Sequence, residues 1–93
     1  MVIIAVFAAE AQPTYAPAAG YVPDTETAIR IAKAVLVPVY GDAKIKAQEP
    51  FTATLKDDIW RVEGHLSQGV VGGVALVEIA KSDGRIIRMI HGK

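Results

Sequence analysis

Apolar and polar residues alternate with two different periods along the chain, and the change of period separates a helix from the strands that follow it. Between residues 24 and 41 the apolar residues recur every three or four positions, which is the spacing of one helix face. That stripe comprises Ala28, Ala32, Val35, Leu36 and Val39. Asp24 precedes it as an N-cap whose carboxylate can accept free N–H groups of the first turn, and Gly41 follows it where helices commonly end. The pattern predicts one amphipathic helix, with a further short helical turn before Pro50.

After Pro50 the period becomes two, which is typical of half-buried strands. A turn at Asp57-Asp58 pairs Leu55 with Trp60 and Ala53 with Val62, and this register separates apolar from polar side chains. The predicted apolar face comprises Phe51, Leu55, Trp60 and Val62. The opposite face comprises Thr52, Thr54, Lys56, Arg61, Glu63 and His65.

A second hairpin is predicted around Ser82-Asp83-Gly84, because Gly84 can take the positive φ that such loops require. With this loop Ile79 faces Ile87, Val77 faces Met89, and Glu78 faces Arg88 as an oppositely charged cross-strand pair. The face that carries Glu78 and Arg88 also carries Val74, Leu76, Ile86 and Ile90. No second helix is predicted to cover these four apolar residues, which leaves another protomer, the N-terminal segment or a binding partner to cover them. Among these we predict self-association through this surface, as a homodimer.

These elements predict an α+β fold over residues 24–93, in which one N-terminal helix packs on a bent, cone-like antiparallel sheet of four strands. Residues 12–23 contain three prolines and are interpreted as a linker. Residues 1–11 are interpreted either as the remnant of a signal peptide or as an extra strand. The apolar stretch 2–9 is shorter than the roughly 20 residues that span a bilayer, and Ala9-Glu10-Ala11 is typical of a cleavage site. A signal would make the protein periplasmic or secreted, whereas a native strand would leave it cytoplasmic.

Composition restricts the function further. The chain has 93 residues, with 10 basic and 10 acidic side chains, and this balance argues against a nucleic-acid partner, which requires a basic surface. Cysteine is absent, so disulfides, thiolate nucleophiles and thiolate metal ligands are excluded. The apolar fraction of 52% indicates a folded domain rather than a disordered chain.

The residues that most often carry catalysis occur without a recognisable motif. His65 has Glu63 two positions away on the same predicted strand face, which indicates a solvated polar face more than a catalytic pair, since general acid–base catalysis needs a pocket and a positioned partner. His91 has no spaced ligand cluster for a metal, and Ser67 has no nucleophile-elbow context. The sequence therefore predicts a non-catalytic protein without cofactor or metal.

Four segments resemble a bacterial family, the immunity proteins with a nuclear-transport-factor-two-like (cystatin-like) fold: "VPDTETAIRIAKAVLVPVYG", "PFTATLKDDIWRVEGHL", "GGVALVEIAKSDGRI" and the closing "HGK". The matching positions are Val22, Pro23, Asp24, Ala28, Pro38, Tyr40, Gly41, Pro50, Phe51, Trp60, Gly64, Gly72, Gly73, Asp83, Gly84, His91 and Gly92. The resemblance implies a protein that neutralises a toxin used in competition between bacteria, by binding rather than by chemistry.

Two alternatives stay open. The first is a small exported module that binds a ligand or peptide, and the second is an enzyme of the same superfold, because fold alone does not choose among functions. For the immunity function we predict that the toxin docks on the sheet face opposite the helix, with Arg61 and Arg88 as anchors. The residues predicted for this contact are Arg61, Glu63, His65, Glu78 and Arg88.

Overall fold

The computed structural model describes residues 14–67 and 72–92. In chain order the elements are helices α1 (Thr25–Tyr40) and α2 (Asp42–Lys46), followed by strands β1 (Thr52–Lys56), β2 (Ile59–Glu63), β3 (Ala75–Ala80) and β4 (Ile86–His91). The strands form one antiparallel sheet in sequential order, and α1 contacts β1, β2 and β3. The predicted α+β class, a helix on a four-stranded sheet of two hairpins, is confirmed. The predicted signal segment, residues 1–11, lies outside the described residues and stays a prediction.

Both predicted ends of α1 are confirmed. The Asp24 side chain accepts a hydrogen bond from the backbone N–H of Thr27 at 2.8 Å. At the other end Gly41 has a φ of 96°, and its N–H donates to the carbonyl oxygen of Val37 at 2.8 Å. The covered stripe is shorter than predicted, because Val39 in the last turn is 61% exposed. Helical periodicity gives the direction of a side chain but not how far the covering sheet extends.

The first hairpin has the predicted register, with Leu55 opposite Trp60 and Ala53 opposite Val62. Its turn is formed by Asp57 and Asp58, which both have positive φ, 52° and 61°. Positive φ at both central residues is the signature of a type I′ turn, whose twist matches that of the flanking strands. Leu55 was predicted on the apolar face, yet it is 42% exposed because β1 lies at the edge of the sheet.

The second hairpin departs from the predicted register near its loop. Val77 faces Met89 and Glu78 faces Arg88, as predicted, but Ile79 pairs with Ile86 instead of Ile87. A register shift between Glu78 and Ile79 accounts for the difference, since a β-bulge places two residues of one strand opposite one residue of the other. Paired residues of an antiparallel sheet point to the same face. Ile86 therefore points to the same face of the sheet as Ile79, and not to the face of Glu78 and Arg88 that was predicted for it.

The core lies between α1 and the sheet and extends to the segment before α1. Ala28, Ala32 and Leu36 of α1 are fully buried against Val62 and other residues of the sheet. Val22 is also fully buried, and its carbonyl oxygen accepts a hydrogen bond from the indole Nε1–H of the Trp60 side chain at 2.7 Å. The C-terminal end of the predicted linker, residues 12–23, is thus packed against the domain.

Candidate binding face of the sheet

The sheet face opposite α1, called the outer face here, carries a row of alternating charges across three neighbouring strands. Arg61 of β2 lies directly opposite Glu78 of β3, and Glu78 lies directly opposite Arg88 of β4. Adjacent strands are roughly 4.8 Å apart, so the row is positive, negative and positive over roughly 10 Å. Glu63 follows Arg61 two positions along β2 and therefore belongs to the same face.

The four charged side chains of the outer face form two ion pairs. Arg61 Nε lies 3.2 Å from Glu63 Oε1, and Arg88 Nε lies 3.5 Å from Glu78 Oε1. Both contacts use Nε, whereas a guanidinium has five N–H donors. Each arginine side chain is 51% exposed, so solvent screens these pairs and each stabilises the fold by less than about 1 kcal/mol. The row is consequently available for contacts without being needed for folding.

A shallow depression of about 310 Å³ lies beside the row. It is lined by Lys56, Asp57, Ile59, Arg61 and Glu78. A recess of this size can receive one side chain of a binding partner, and the residues that dominate protein–protein affinity usually fill such recesses. The outer face thus combines a row of charged side chains with a side-chain-sized recess.

The structure brings four of the five predicted binding residues together and places the fifth elsewhere. Arg61, Glu63, Glu78 and Arg88 share the outer face. His65 lies beyond the end of β2, where its backbone N–H donates to the carbonyl oxygen of Gln48 at 2.6 Å. Its side chain lines a separate cavity that also includes residues of α2. The predicted position of His65 assumed that β2 continues to residue 65, and the strand ends at Glu63.

The predicted self-association surface is also rearranged. Leu76 is 4% exposed and so offers almost no area to a second copy. Ile86 is paired with Ile79 through the bulge. Val74 is half-buried, and Ile90 is exposed. The predicted set of Val74, Leu76, Ile86 and Ile90 therefore does not form one exposed patch, because the bulge and the burial of Leu76 divide it.

Gln48 was missed in the sequence interpretation, and it occupies a central position. Its side chain is buried, its Oε1 accepts a hydrogen bond from Ala75 N–H at 2.7 Å, and its Nε2 lies 3.0 Å from His91 Nε2. The His91 ring also lies against the ring of Tyr40, with centroids 5.0 Å apart. The sequence around Gln48 gives no signal that this side chain is buried, because the residues that cover it belong to other elements of the fold.

Among the residues that the structure describes, two carboxyl groups have lowered pKa values, and both lie away from the outer face. The hydrogen bond from Thr27 lowers the pKa of Asp24 below 3.8, and the hydrogen bond from Lys33 lowers the pKa of Glu49 below 4.5. Both shifts follow from contacts that stabilise the ionised carboxylate, one at a helix cap and one in an ion pair of 2.6 Å. Each lowered pKa is therefore explained by a hydrogen bond to the carboxylate.

Within residues 14–67 and 72–92, no three potential ligands among His, Asp and Glu lie close enough together to hold a metal ion. In the same part of the chain, neither helix has the length and apolar character needed to cross a membrane.

A helix on one face of an open antiparallel sheet, with a row of charged side chains on the other face, defines the chain as a small α+β protein. The sequence comparison agrees with this class and narrows it. The chain belongs to the NTF2 fold immunity protein family, whose model matches residues 27–93. The family membership predicted from the sequence is confirmed.

Two proteins of Escherichia coli K12 are similar to this chain. YhhH is 36% identical over 67 residues, which cover 71% of the chain and 53% of YhhH. YbbC is 37% identical over 71 residues, which cover 74% of the chain and 58% of YbbC. Both relatives are described as uncharacterized, and the chain spans just over half of their length. No solved structure matches the chain.

Proposed function

We propose that this chain neutralises a bacterial toxin by binding it through the outer face, and that the toxin is one used in competition between bacteria. Membership of an immunity protein family supports the general role. The observation that carries the proposed site is the row formed by Arg61, Glu78 and Arg88 across three strands. Neutralisation by this face is a matter of affinity and coverage, and it requires no catalytic step.

The row suits a protein partner for physical reasons. Arginine is enriched at the energetic centres of interfaces because its guanidinium makes several hydrogen bonds and its stem covers apolar surface. Two arginines on either side of a carboxylate favour a partner with the reverse order of charges, and juxtaposed like charges disfavour other partners. The depression beside Arg61 adds a place for one protruding side chain of the toxin. The outer face therefore supplies both attraction and selectivity.

The test is charge reversal in the double variant Arg61→Glu/Arg88→Glu, with a candidate toxin taken from the genes that neighbour this one as the binding partner. We expect affinity to fall by at least about tenfold, or about 1.4 kcal/mol, with little change in the melting curve because the exposed ion pairs add little stability. Isothermal titration calorimetry and thermal melting measure the two effects.

A matched control is the variant Arg30→Glu/Arg85→Glu. These arginines are also exposed and ion-paired, with Glu26 and Asp83, and their reversal changes the net charge equally outside the row of Arg61, Glu78 and Arg88. Toxin affinity should be nearly unchanged in this control. If the outer-face variant is folded and binds as well as the control, the toxin binds another surface.

We further propose that the protein acts outside the cytoplasm, supported by the apolar stretch and the Ala9-Glu10-Ala11 site. Cleavage after Ala11 would retain Tyr21 and Val22, whose backbone N–H groups donate to the carbonyl oxygens of Ser82 and Lys81. Expression with the native upstream region should yield a mature chain that starts at Gln12 by N-terminal mass spectrometry. Intact Met1 in the cytosol would instead place the protein there.

A further inference from the structure

A cavity of about 730 Å³ opens at the end of the sheet beside α2. Its described lining comes from α2, from the segments that flank β2 and β3, and from the end of β4. The lining residues are Ala43, Lys44, Ala47, Gln48, His65, Leu66, Ser67, Gly72, Gly73, His91 and Gly92. The volume is in the range of roughly 300–1,000 Å³ that small-molecule sites usually have.

The floor of this cavity is held in one hydrogen-bonded arrangement. Gln48 is 6% exposed, and its Oε1 accepts the Ala75 N–H at 2.7 Å, which fixes the orientation of the amide. The Gln48 Nε2 that faces His91 at 3.0 Å can only donate, so His91 Nε2 is the acceptor of this bond. The other ring nitrogen, Nδ1, then carries the proton and donates to Gly92 O at 2.7 Å. Gln48 Nε2 has a second hydrogen for a ligand oxygen.

The described lining is rich in donors and contains no carboxylate. Lys44 supplies an ammonium group, and within the described part of the chain it takes part in no ion pair. His65 and Ser67 add an exposed imidazole and a hydroxyl. An anion is favoured in such a setting, because cations and N–H donors make charge-assisted hydrogen bonds with it.

The remaining lining is apolar. Ala43, Ala47 and Leu66 contribute aliphatic surface, which favours an uncharged hydrocarbon group next to the anion. Phosphate and sulfate lack such a group. A carboxylate on an apolar stem, such as a short fatty acid or the C-terminal residue of a peptide, has both parts.

We propose that this cavity binds a carboxylate on an apolar stem, with Lys44 as its charge partner, and with Gln48 Nε2 and His65 as hydrogen-bond donors. The stem lies against Ala47 and Leu66. This site is separate from the outer face and does not depend on the proposed toxin contact.

The experiment is a titration of the ¹⁵N-labelled full chain followed by NMR. The probes are hexanoate with hexanamide as its neutral counterpart, and N-acetyl-glycyl-leucine with its C-terminal amide. Both carboxylates should cause saturable shifts of the backbone amides of residues around the cavity, including His65, Gly73 and Ala75, whereas the neutral counterparts should not. The carboxylate that binds more tightly distinguishes a fatty-acid source from a peptide C-terminus.

Two lysine variants separate a local contact from a general effect of charge. Lys44→Glu should weaken carboxylate binding by about tenfold or more, since it replaces a charged hydrogen-bond donor. Lys46→Glu makes the same change of charge on the same short helix, but Lys46 does not line the cavity. The affinity of the Lys46→Glu variant for the carboxylates should therefore stay within about twofold of that of the original chain. Absence of saturable shifts, equal binding of acid and amide, or equal loss in both lysine variants would each overturn the proposal.

Discussion

Gln48 contacts three other parts of the molecule through its side chain and its backbone carbonyl group. The side chain bonds to Ala75 at the start of β3 and to His91 at the end of β4. The backbone carbonyl oxygen accepts the N–H of His65, just beyond β2. A buried amide with satisfied hydrogen bonds contributes modestly to stability, but its loss leaves buried partners unpaired and costs more.

Gly64 makes room for this amide. An ideal Cβ at position 64 would lie 2.3 Å from Gln48 Oε1, so an added methyl group must displace the glutamine. The requirement is for space, since Gly64 is not among the glycines with positive φ.

We predict that Gln48→Ala and Gly64→Ala each lower the free energy of unfolding by about 1–3 kcal/mol. In the double variant the methyl group of residue 64 no longer meets the amide of residue 48 and is close only to the remaining Cβ, at 2.9 Å, so the combined loss should be smaller than the sum by at least about 0.5 kcal/mol. Urea denaturation of the four proteins measures this coupling. Strict additivity would show that Gly64 is required for another reason.

Asp24 gives a pH-dependent contribution whose sign follows from its lowered pKa. The ionised carboxylate is the better acceptor for Thr27 N–H, so the folded state binds a proton less readily than the unfolded state, whose pKa is near 3.8. Its stabilising effect is complete above that pH and is lost as the pH falls through the lower folded value.

The variant Asp24→Asn tests the pH-dependent contribution of Asp24, because asparagine is also a good N-cap but does not titrate. We expect the stability difference between the two proteins to favour the original chain at pH 6 and to shrink as the pH falls below 3.8. Denaturant melts at several pH values measure the difference. A difference that stays constant over this range would contradict the assignment.

At the level of the elements, the β1–β2 turn has a backbone geometry that suits a hairpin, but its two central residues do not favour that geometry. Both central residues, Asp57 and Asp58, have positive φ, where an L side chain is strained, although Asp tolerates it better than most. Type I′ turns prefer glycine at the second of these positions. The register is therefore maintained by the apolar pattern of the strands more than by the turn itself.

We predict that Asp58→Gly raises the free energy of unfolding by about 0.5–1 kcal/mol, because it relieves this strain. Asp58→Ala is the matched control: it removes the same carboxylate but keeps a Cβ at positive φ, and it should be neutral or destabilising. Thermal and urea denaturation compare the two. If both variants stabilise equally, removal of charge rather than backbone strain is the cause.

The bulge in β4 changes which residues are available at the edge of the sheet. Ile86, Ile87 and Ile90 are exposed on a strand that has a neighbour on one side only among the described elements. Edge strands with apolar side chains and free backbone groups tend to pair with other chains. Self-association is consequently expected at β4, whereas Leu76 is already buried within one copy.

For the whole molecule we predict weak self-association, since the net charge is zero and gives little repulsion between copies. Sedimentation at about 50 µM should show a concentration-dependent increase in mass, typical of micromolar dimers. Ile90→Lys should reduce it, while Leu55→Lys should not. The two residues are equally exposed, at 42% each, and lie on opposite edges of the sheet. A strictly monomeric original chain would contradict this prediction.

Much of the fold is predictable from the sequence because it depends on neighbours along the chain. The caps of α1 at Asp24 and Gly41 depend on a side chain and a backbone conformation that these residue types favour. The β1–β2 register follows from a side-chain period of two, which permits only one alignment of Trp60 and Val62 with the core. The row of Arg61, Glu78 and Arg88 follows from the same alternation.

The remaining features depend on contacts between segments that are distant in the sequence. Three features require elements that meet only in the folded chain: the burial of Gln48, the position of His65 and His91 in the lining of one cavity, and the hydrogen bond between Trp60 and Val22. The bulge that moves Ile86 lies between Glu78 and Ile79, and it adds one residue to β4 that strict alternation of side chains does not predict. The sequence by itself determined the elements, their order and the charged outer face, because these depend on local periodicity. Only the tertiary structure decided which polar residues are buried and where the cavity opens, because burial depends on what the rest of the chain places around a side chain.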